Sequence, residues 1–167
     1  VYLVRESKRY YPYDTMLANT LGFVGIDNQG LAGLELIYDD YLTGESGAIK
    51  YASDAKGQRL ELSEVYVQPQ NGIDVMLTIN YDIQAALERE LDNVVTKYKP
   101  DNTLAIVMDP NNGAILAMGS RPSFNPNNYQ DYTIEEINRN LPIWSTYEPG
   151  STFKIITLAS AIEEKVV

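Results

Sequence analysis

The sequence predicts an α+β fold and, in its second half, an α/β sandwich with an antiparallel sheet. Three observations support this prediction. Apolar and polar residues alternate over 59–69, apolar residues recur at the helical period over 80–99, and two apolar runs flank the turn Asp109–Gly113. Because Pro, Asn and Gly in that turn favour a tight reversal, we expect the two runs to pair as a hairpin beside the helix.

The first part of the chain contains short predicted elements that are separated by glycines. They are a strand over 1–7, a helix over Gly33–Leu42 with one apolar face, and a half-buried strand over 59–69. The stretch Gln68–Gly72 combines Pro, Asn and Gly and is the best linker candidate. We therefore predict two domains, the first over 1–70 and the second over 71–167.

The second domain carries clearer signals. We expect a strand over 73–79, and a helix over 80–99 that Asn80 or Asp82 can cap. The apolar stripe of this helix comprises Ile83, Leu87, Leu91, Val94 and Val95. The hairpin is expected to lead into a Pro- and Asn-rich loop, a short helix over 133–138 and an irregular approach to an apolar helix that begins near Ser151.

The composition excludes several classes of function. Thirteen Lys and Arg against 23 Asp and Glu give a net charge of −10, so we expect no nucleic-acid partner, because phosphate binding needs a basic surface. The sequence has no Cys and no His, so catalysis would have to use Asp, Glu, Lys, Tyr or Ser. Adjacent acids at Asp39–Asp40 and Glu135–Glu136 are interpreted as solvated helix faces, and we expect no metal and no cofactor.

Ser151 and Lys154 form the candidate catalytic pair. Pro149 and Gly150 break any preceding helix, so Ser151 is expected in the first turn of the next one, where free N–H groups favour a developing negative charge. Lys154 follows one turn later on the same face, and a buried lysine can lose its proton and act as a base. The alternative is an N-cap serine followed by a surface lysine. The spacing alone is weak evidence, since it recurs at Ser53–Lys56, which we interpret as a polar turn.

Six motifs run in order along the chain. They are RYYP (9–12), GLAGLE (30–35), LTGESG (42–47), GIDVMLTINYDIQ (72–84), AIVMDPNNGAILAMGSRPSFNPNNY (105–129) and YEPGSTFK (147–154). Together they resemble the class B penicillin-binding proteins, above all the sporulation-type (stage V) members of Gram-positive spore formers. The first two resemble motifs of the non-catalytic N-terminal dimerisation domain, and the last resembles the Ser-x-x-Lys nucleophile motif of the transpeptidase domain.

This resemblance implies a serine D,D-transpeptidase that cross-links peptidoglycan. Ser151 would attack the carbonyl of the penultimate D-Ala of a stem peptide, Lys154 would take the hydroxyl proton, and β-lactams would acylate the same serine. The resemblance also implies a site on the extracytoplasmic face of the membrane, reached through an upstream anchor. Implied partners are a peptidoglycan polymerase, division or sporulation proteins, and a second copy of the chain in a homodimer.

The resemblance is incomplete after the nucleophile. The family's Ser-x-Asn and Lys-[Ser/Thr]-Gly motifs do not follow Ser151, and Ser123–Asn125 fits the first only as letters in an earlier loop. We therefore expect a fragment, made of part of the dimerisation domain and the start of the transpeptidase domain, with little or no activity alone. Two alternatives remain: a β-lactam sensor or β-lactamase-like protein, which should lack RYYP and GLAGLE, and a non-catalytic dimerisation or docking module.

Arg9 and Glu35 are the charged members of the two N-terminal motifs. We expect them to pair and to hold the first domain together. The alternative is two solvated charges, whose interaction would be worth less than about 1 kcal/mol.

Overall fold

The computed structural model describes residues 7–50, 56 and 65–167, and within these ranges the fold is α+β, as predicted. The helices are α1 (Ala18–Leu21), α2 (Gly33–Ile37), α3 (Asp39–Leu42), α4 (Tyr81–Tyr98), α5 (Ile134–Ile137), α6 (Leu141–Trp144) and α7 (Lys154–Glu163). The strands are β1 (Ala48–Lys50), β2 (Val65–Val67), β3 (Thr103–Met108) and β4 (Ile115–Arg121). Short 3₁₀ helices cover Pro126–Asp131 and Gly150–Phe153. β1 pairs with β2, and β3 pairs with β4, both antiparallel.

Helix α4 packs on the β3–β4 hairpin, as its sequence predicts. Asn80 caps the helix, because its side chain accepts hydrogen bonds from the backbone N–H groups of Asp82 and Ile83 at 3.0 and 3.1 Å. The core between helix and hairpin contains Leu87, Leu91 and Ala117, with Ile83, Ala105 and Val107 packed around them. At Gly119 the two elements approach so closely that a Cβ would lie 3.0 Å from a methyl group of Leu87. The interface therefore has no room for a larger residue at this point of β4.

The hairpin turn has the predicted chemistry. The N–H of Asp109 donates to the carbonyl of Ala114 at 2.9 Å, and Gly113 adopts a φ of +76°, which glycine tolerates best. Strand pairing runs from Thr103 opposite Arg121 to the turn, with one irregularity next to Met108. Arg121 is therefore the last residue of β4, and its side chain contacts Glu88 and Asp92 on α4.

A second core joins the first region of the chain to the loop after the hairpin. It contains Ala18, Phe23, Ala32 and Phe124, and Tyr129, Tyr132 and Ile137 pack against it. Phe23 meets Phe124 edge-on with ring centroids 5.8 Å apart, and stacks on Tyr129 at 4.4 Å. Residues on both sides of the predicted linker therefore share one core, and the boundary at residue 70 stays a prediction.

The strand predicted over 73–79 is absent from the described structure. No described segment pairs along it, although the N–H of Ile73 bonds to Tyr41 and the N–H of Asn80 bonds to Leu116. Met76 in its centre is 97% exposed. The prediction of a strand was wrong here, because a strand needs a partner strand and none of the described residues provides one.

The helix predicted over Gly33–Leu42 is interrupted at Tyr38, which separates α2 from α3. The carboxylate of Asp39, directly after the break, accepts a hydrogen bond from the backbone N–H of Gly30 at 2.8 Å. This bond ties the start of α3 to the loop that precedes α2.

Several predicted features lie partly or wholly outside the described residues. These are most of the strand at 1–7, Ser53 of the second Ser-x-x-Lys, and the first part of the strand at 59–69, of which β2 is the described part. In the described ranges, no helix combines the length and apolar character needed to cross a membrane.

Candidate active site

Ser151 lies in the short 3₁₀ turn Gly150–Phe153, which runs directly into α7. Pro149 precedes the turn with a φ of −72°, and Gly150 follows with a φ of +55°, a conformation that favours glycine. Thr152 closes the turn, because its N–H and its hydroxyl both donate to the carbonyl of Pro149, at 3.3 and 2.5 Å. The serine is therefore presented at the N-terminal end of a helix, where the first N–H groups have no acceptor within the helix.

Lys154 is the first residue of α7 and lies one helical turn after Ser151. Both residues are exposed, and neither side chain forms a hydrogen bond or an ion pair with any described residue. The structure thus places the two residues one helical turn apart without a hydrogen bond between their side chains. Proton transfer would require the Lys154 amine to come within about 3 Å of the Ser151 hydroxyl.

The apolar side of the nucleophile helix is exposed. Its exposed members are Phe153, Ile155, Ile156, Leu158 and Ile162. No described element covers these side chains. In the same ranges, no cluster of three or more His, Cys, Asp or Glu could hold a metal ion.

The chain reaches Ser151 through α5 and α6. A capping box begins α5: Glu136 N–H donates to the hydroxyl of Thr133, and the Glu136 carboxylate accepts from the Thr133 N–H at 2.8 Å. The hydrogen bonds from the backbone and hydroxyl of Thr133 lower the pKa of Glu136. Arg139 then stacks over the ring of Trp144 at 4.9 Å, which orders the chain just before the nucleophile turn.

The structure brings Arg9 and Glu35 together. The guanidinium makes two parallel contacts to the carboxylate, Nε to Oε1 and Nη2 to Oε2, both at 3.0 Å. The hydroxyl of Tyr11 also donates to Glu35 Oε1 at 3.2 Å. Burial raises the pKa of Tyr11, and the negative charge and hydrogen bond of Glu35 add to this effect. Three cavities of about 580, 570 and 350 Å³ border this cluster, so Arg9 is reachable from solvent.

A buried polar cluster on α4 was missed by the sequence analysis. Glu88 pairs with Arg121 at 2.6 Å and accepts from the Gln84 amide at 2.8 Å, while Arg121 also contacts Asp92 at 2.6 Å. The Gln84 side chain in turn bonds both the N–H and the carbonyl of Met118, each at 2.9 Å. Burial opposes the charge on Arg121, but hydrogen bonds to Asp92 and Glu88 outweigh it and raise the pKa of Arg121. The sequence did contain one sign of this cluster: Gln84 and Glu88 are four residues apart, on the same helical face and beside the apolar stripe.

The loop before α1 is fastened to this cluster and to the loop after the hairpin. The backbone N–H of Leu17, which has a φ of +58°, donates to Glu88 Oε1 at 2.9 Å. The Asn127 amide accepts from the N–H of Tyr11 at 3.0 Å and donates to its carbonyl at 2.9 Å. The side-chain amide of Asn125 donates to the carboxylate of Asp14 at 3.1 Å. The Ser123–Asn125 stretch therefore packs against the loop before α1.

Two family models match the chain. One describes the penicillin-binding protein dimerisation domain and matches residues 1–77. The other describes the penicillin-binding protein transpeptidase domain and matches residues 103–167, which include Ser151 and Lys154. The two matches follow the order expected from the motifs.

Curated relatives match along the whole chain. Stage V sporulation protein D of Bacillus subtilis (strain 168) is 53% identical over 168 residues, which cover 100% of this chain and 26% of that protein. The peptidoglycan D,D-transpeptidase FtsI of Escherichia coli (strain K12) is 37% identical and is covered to 28%. The chain therefore spans between a quarter and a third of the length of these relatives.

Solved structures share the fold. A peptidoglycan synthetase from Bifidobacterium adolescentis superposes with a TM-score of 0.80 and 26% identity, over 96% of this chain and 29% of that one. Penicillin binding protein 2X from Streptococcus thermophilus superposes with a TM-score of 0.62 and 26% identity, over 91% of this chain and 24% of that one.

Proposed function

The chain belongs to the penicillin-binding protein family, and from this premise we propose that it is part of a serine D,D-transpeptidase that cross-links peptidoglycan. One observation carries the proposal: Ser151 in the 3₁₀ turn and Lys154 at the start of α7 lie one helical turn apart, inside the stretch that matches the transpeptidase domain. The high identity to a stage V sporulation protein supports a role in spore formation.

In the proposed reaction, Ser151 Oγ attacks the carbonyl carbon of the penultimate D-Ala of a stem peptide. The Lys154 amine, in its neutral form, takes the hydroxyl proton, and the Ser151 N–H donates to the developing oxyanion. The peptide bond breaks, the proton passes to the amine of the departing terminal D-Ala, and an ester to Ser151 remains. An amine of a neighbouring peptidoglycan strand then attacks the carbonyl of the ester and forms the cross-link. The bond to Ser151 Oγ breaks, and the proton that the attacking amine loses passes through Lys154 to Ser151 Oγ. β-Lactams would acylate the same oxygen.

The described residues supply only part of this machinery. A carboxylate clamp and a second oxyanion donor, which the family resemblance assigns to motifs that do not follow Ser151 in this sequence, are needed to position the substrate. A polypeptide limited to 1–167 should therefore show little or no transpeptidase activity. The exposure of Ser151 and Lys154 supports this expectation.

The match to the dimerisation domain over 1–77 supports this function over a β-lactam sensor or β-lactamase, which would share the Ser-x-x-Lys but not the N-terminal motifs. We place the protein at the extracytoplasmic face of the membrane, where its substrate is. Homodimer formation and docking to a peptidoglycan polymerase are roles proposed for the first region.

We assign Arg9 and Glu35 a structural role in that region. Their paired geometry and the hydroxyl of Tyr11 favour it, and the low exposure of Glu35 makes the pair stronger than a fully solvated one. Arg9→Ala should lower the stability of the region by about 1 kcal/mol, measured by urea denaturation, whereas Lys8→Ala should leave it unchanged.

Labelling with a fluorescent penicillin tests the function. In the full-length protein, Ser151→Ala should abolish covalent labelling on a denaturing gel, whereas Ser160→Ala, on the same helix, and Ser53→Ala, in the second Ser-x-x-Lys, should leave it intact. Persistent labelling of the Ser151→Ala protein would refute the proposal, and so would loss of labelling in the Ser53→Ala protein alone.

A further inference from the structure

Two buried polar atoms at the junction of the first region with α4 and β4 lack a hydrogen-bond partner among the described residues. They are the hydroxyl oxygen of Ser120 and the amide oxygen of Asn140. Ser120 is only 2% exposed, so bulk solvent cannot satisfy its hydroxyl. Buried polar groups in folded proteins almost always find a partner, which is a protein group or an ordered water.

Both atoms belong to residues that line the same small cavity. This cavity measures about 10 Å³ and is also lined by Glu88 and Thr20. A space of this size is enough for one water molecule when two or more polar groups surround it. Glu88 contributes a third polar atom: its buried Oε2 pairs with Arg121 at 2.6 Å, and a carboxylate oxygen can accept a further hydrogen bond.

The side-chain amide of Asn140 is held in place through its nitrogen. Its nitrogen donates to the hydroxyl of Thr20 at 3.2 Å. Because a hydroxyl can donate as well as accept, exchanging the amide nitrogen and oxygen would keep the contact to Thr20 and still leave one amide atom without a partner. A ligand in the cavity must therefore be able to donate and to accept, as water can.

We propose that this cavity is a binding site for a single ordered water molecule. The water accepts a hydrogen bond from the Ser120 hydroxyl and donates to Asn140 Oδ1 and Glu88 Oε2, which gives it the three partners usual for a buried water. The three partners lie in β4, in α4 and directly before α6, so the water links the hairpin to the segment that leads to Ser151.

A crystal structure of the full-length protein at high resolution tests the site directly. The expected result is one water peak within about 3.2 Å of both Ser120 Oγ and Asn140 Oδ1. Three results would overturn the proposal: an empty cavity, a protein side chain that fills it, or a cation that gives an anomalous signal after a rubidium soak.

The sign of a stability change gives a second, independent test. If the Ser120 hydroxyl binds the water, Ser120→Ala removes a satisfied bond and lowers the urea midpoint of the full-length protein below that of the matched control Ser160→Ala. If the hydroxyl has no partner, its removal leaves the midpoint unchanged or raises it, because an unsatisfied buried polar group is lost. An unchanged or raised midpoint would therefore refute the site.

Discussion

Helices α4 and α7 are both amphipathic, yet they occupy opposite environments. On α4, Leu91 is 5% exposed against the hairpin, and even its charged Glu88 is buried and paired. On α7, which begins just after the proposed nucleophile, Ile155 is 75% exposed. The contrast shows that an apolar face does not fix a helix by itself. A helix is held by the surface that its apolar face packs against, and of these two helices only α4 has such a surface among the described residues.

The largest expected effect would come from breaking the buried polar cluster of α4. Glu88→Ala removes the buried carboxylate that pairs with Arg121, which then pairs only with the more exposed Asp92 among the described residues, and it removes the acceptor of the Leu17 N–H. The unfolding free energy should therefore fall by about 4 kcal/mol in urea denaturation. The exposed Glu90→Ala on the same helix should leave the urea midpoint nearly unchanged, because its carboxylate is fully solvated. Equal losses in the two variants would show that the cluster contributes nothing to stability.

A leucine truncation on each helix sharpens the comparison. Leu91→Ala opens a cavity against the hairpin and should cost about 3 kcal/mol, whereas Leu158→Ala on α7 should cost less than about 0.5 kcal/mol in this chain. Both values follow from urea denaturation curves. A large loss for Leu158→Ala would mean that the apolar face of α7 is covered in solution.

The helix caps differ as well, and the expected effect is smaller. Asn80 caps α4 with two hydrogen bonds, whereas α7 begins without a side-chain cap. Asn80→Ala should therefore destabilise the chain by about 1 kcal/mol, with a matching drop in the urea midpoint. Asn93→Ala, in the interior of the same helix, serves as the control, and a similar loss there would rule out a capping effect.

The smallest expected effect is a change in the pKa of Glu136 in α5, which lies between α4 and α7 along the chain. The pKa of Glu136 is lowered from its ordinary value of 4.5 by the Thr133 cap. A carboxylate whose folded pKa is lowered stabilises the fold above 4.5, and this contribution is lost as the pH falls through the lower, folded pKa. An NMR titration should place the midpoint of Glu136 below that of the same residue in Thr133→Ala. Identical midpoints would contradict the capping box.

Local patterns predicted the parts of the fold that local interactions determine. The period of α4, its Asn80 cap and the turn before Gly113 are all encoded within a few residues, and each was found as expected. The prediction of a strand over 73–79 was wrong because strand formation depends on a partner strand that is distant in sequence. The break at Tyr38 escaped prediction because residues 34–42 contain neither Pro nor Gly, the residues that signal a helix break in a sequence.

The same limit applies to the candidate site. The preceding Pro149–Gly150 and the ordered family motifs singled out Ser151 and Lys154, and their spacing put them on one helical face. The spacing could not say whether the two side chains are hydrogen-bonded, and in the described structure they are not. Glu88 looked like an ordinary polar helix residue, since its partner Arg121 lies 33 positions away (121 minus 88). A buried charge is recognisable only when both partners are known.

The aromatic core has a consequence for the order of folding. Phe23 and Phe124 are 101 positions apart (124 minus 23), whereas α4 and the hairpin are neighbours along the chain. Because closing a long loop costs more entropy than closing a short one, we expect α4 and its hairpin to assemble first. The first region then docks onto a surface that already exists. During synthesis from the N-terminus, Phe23 must accordingly wait for Phe124 to be made before its core can close.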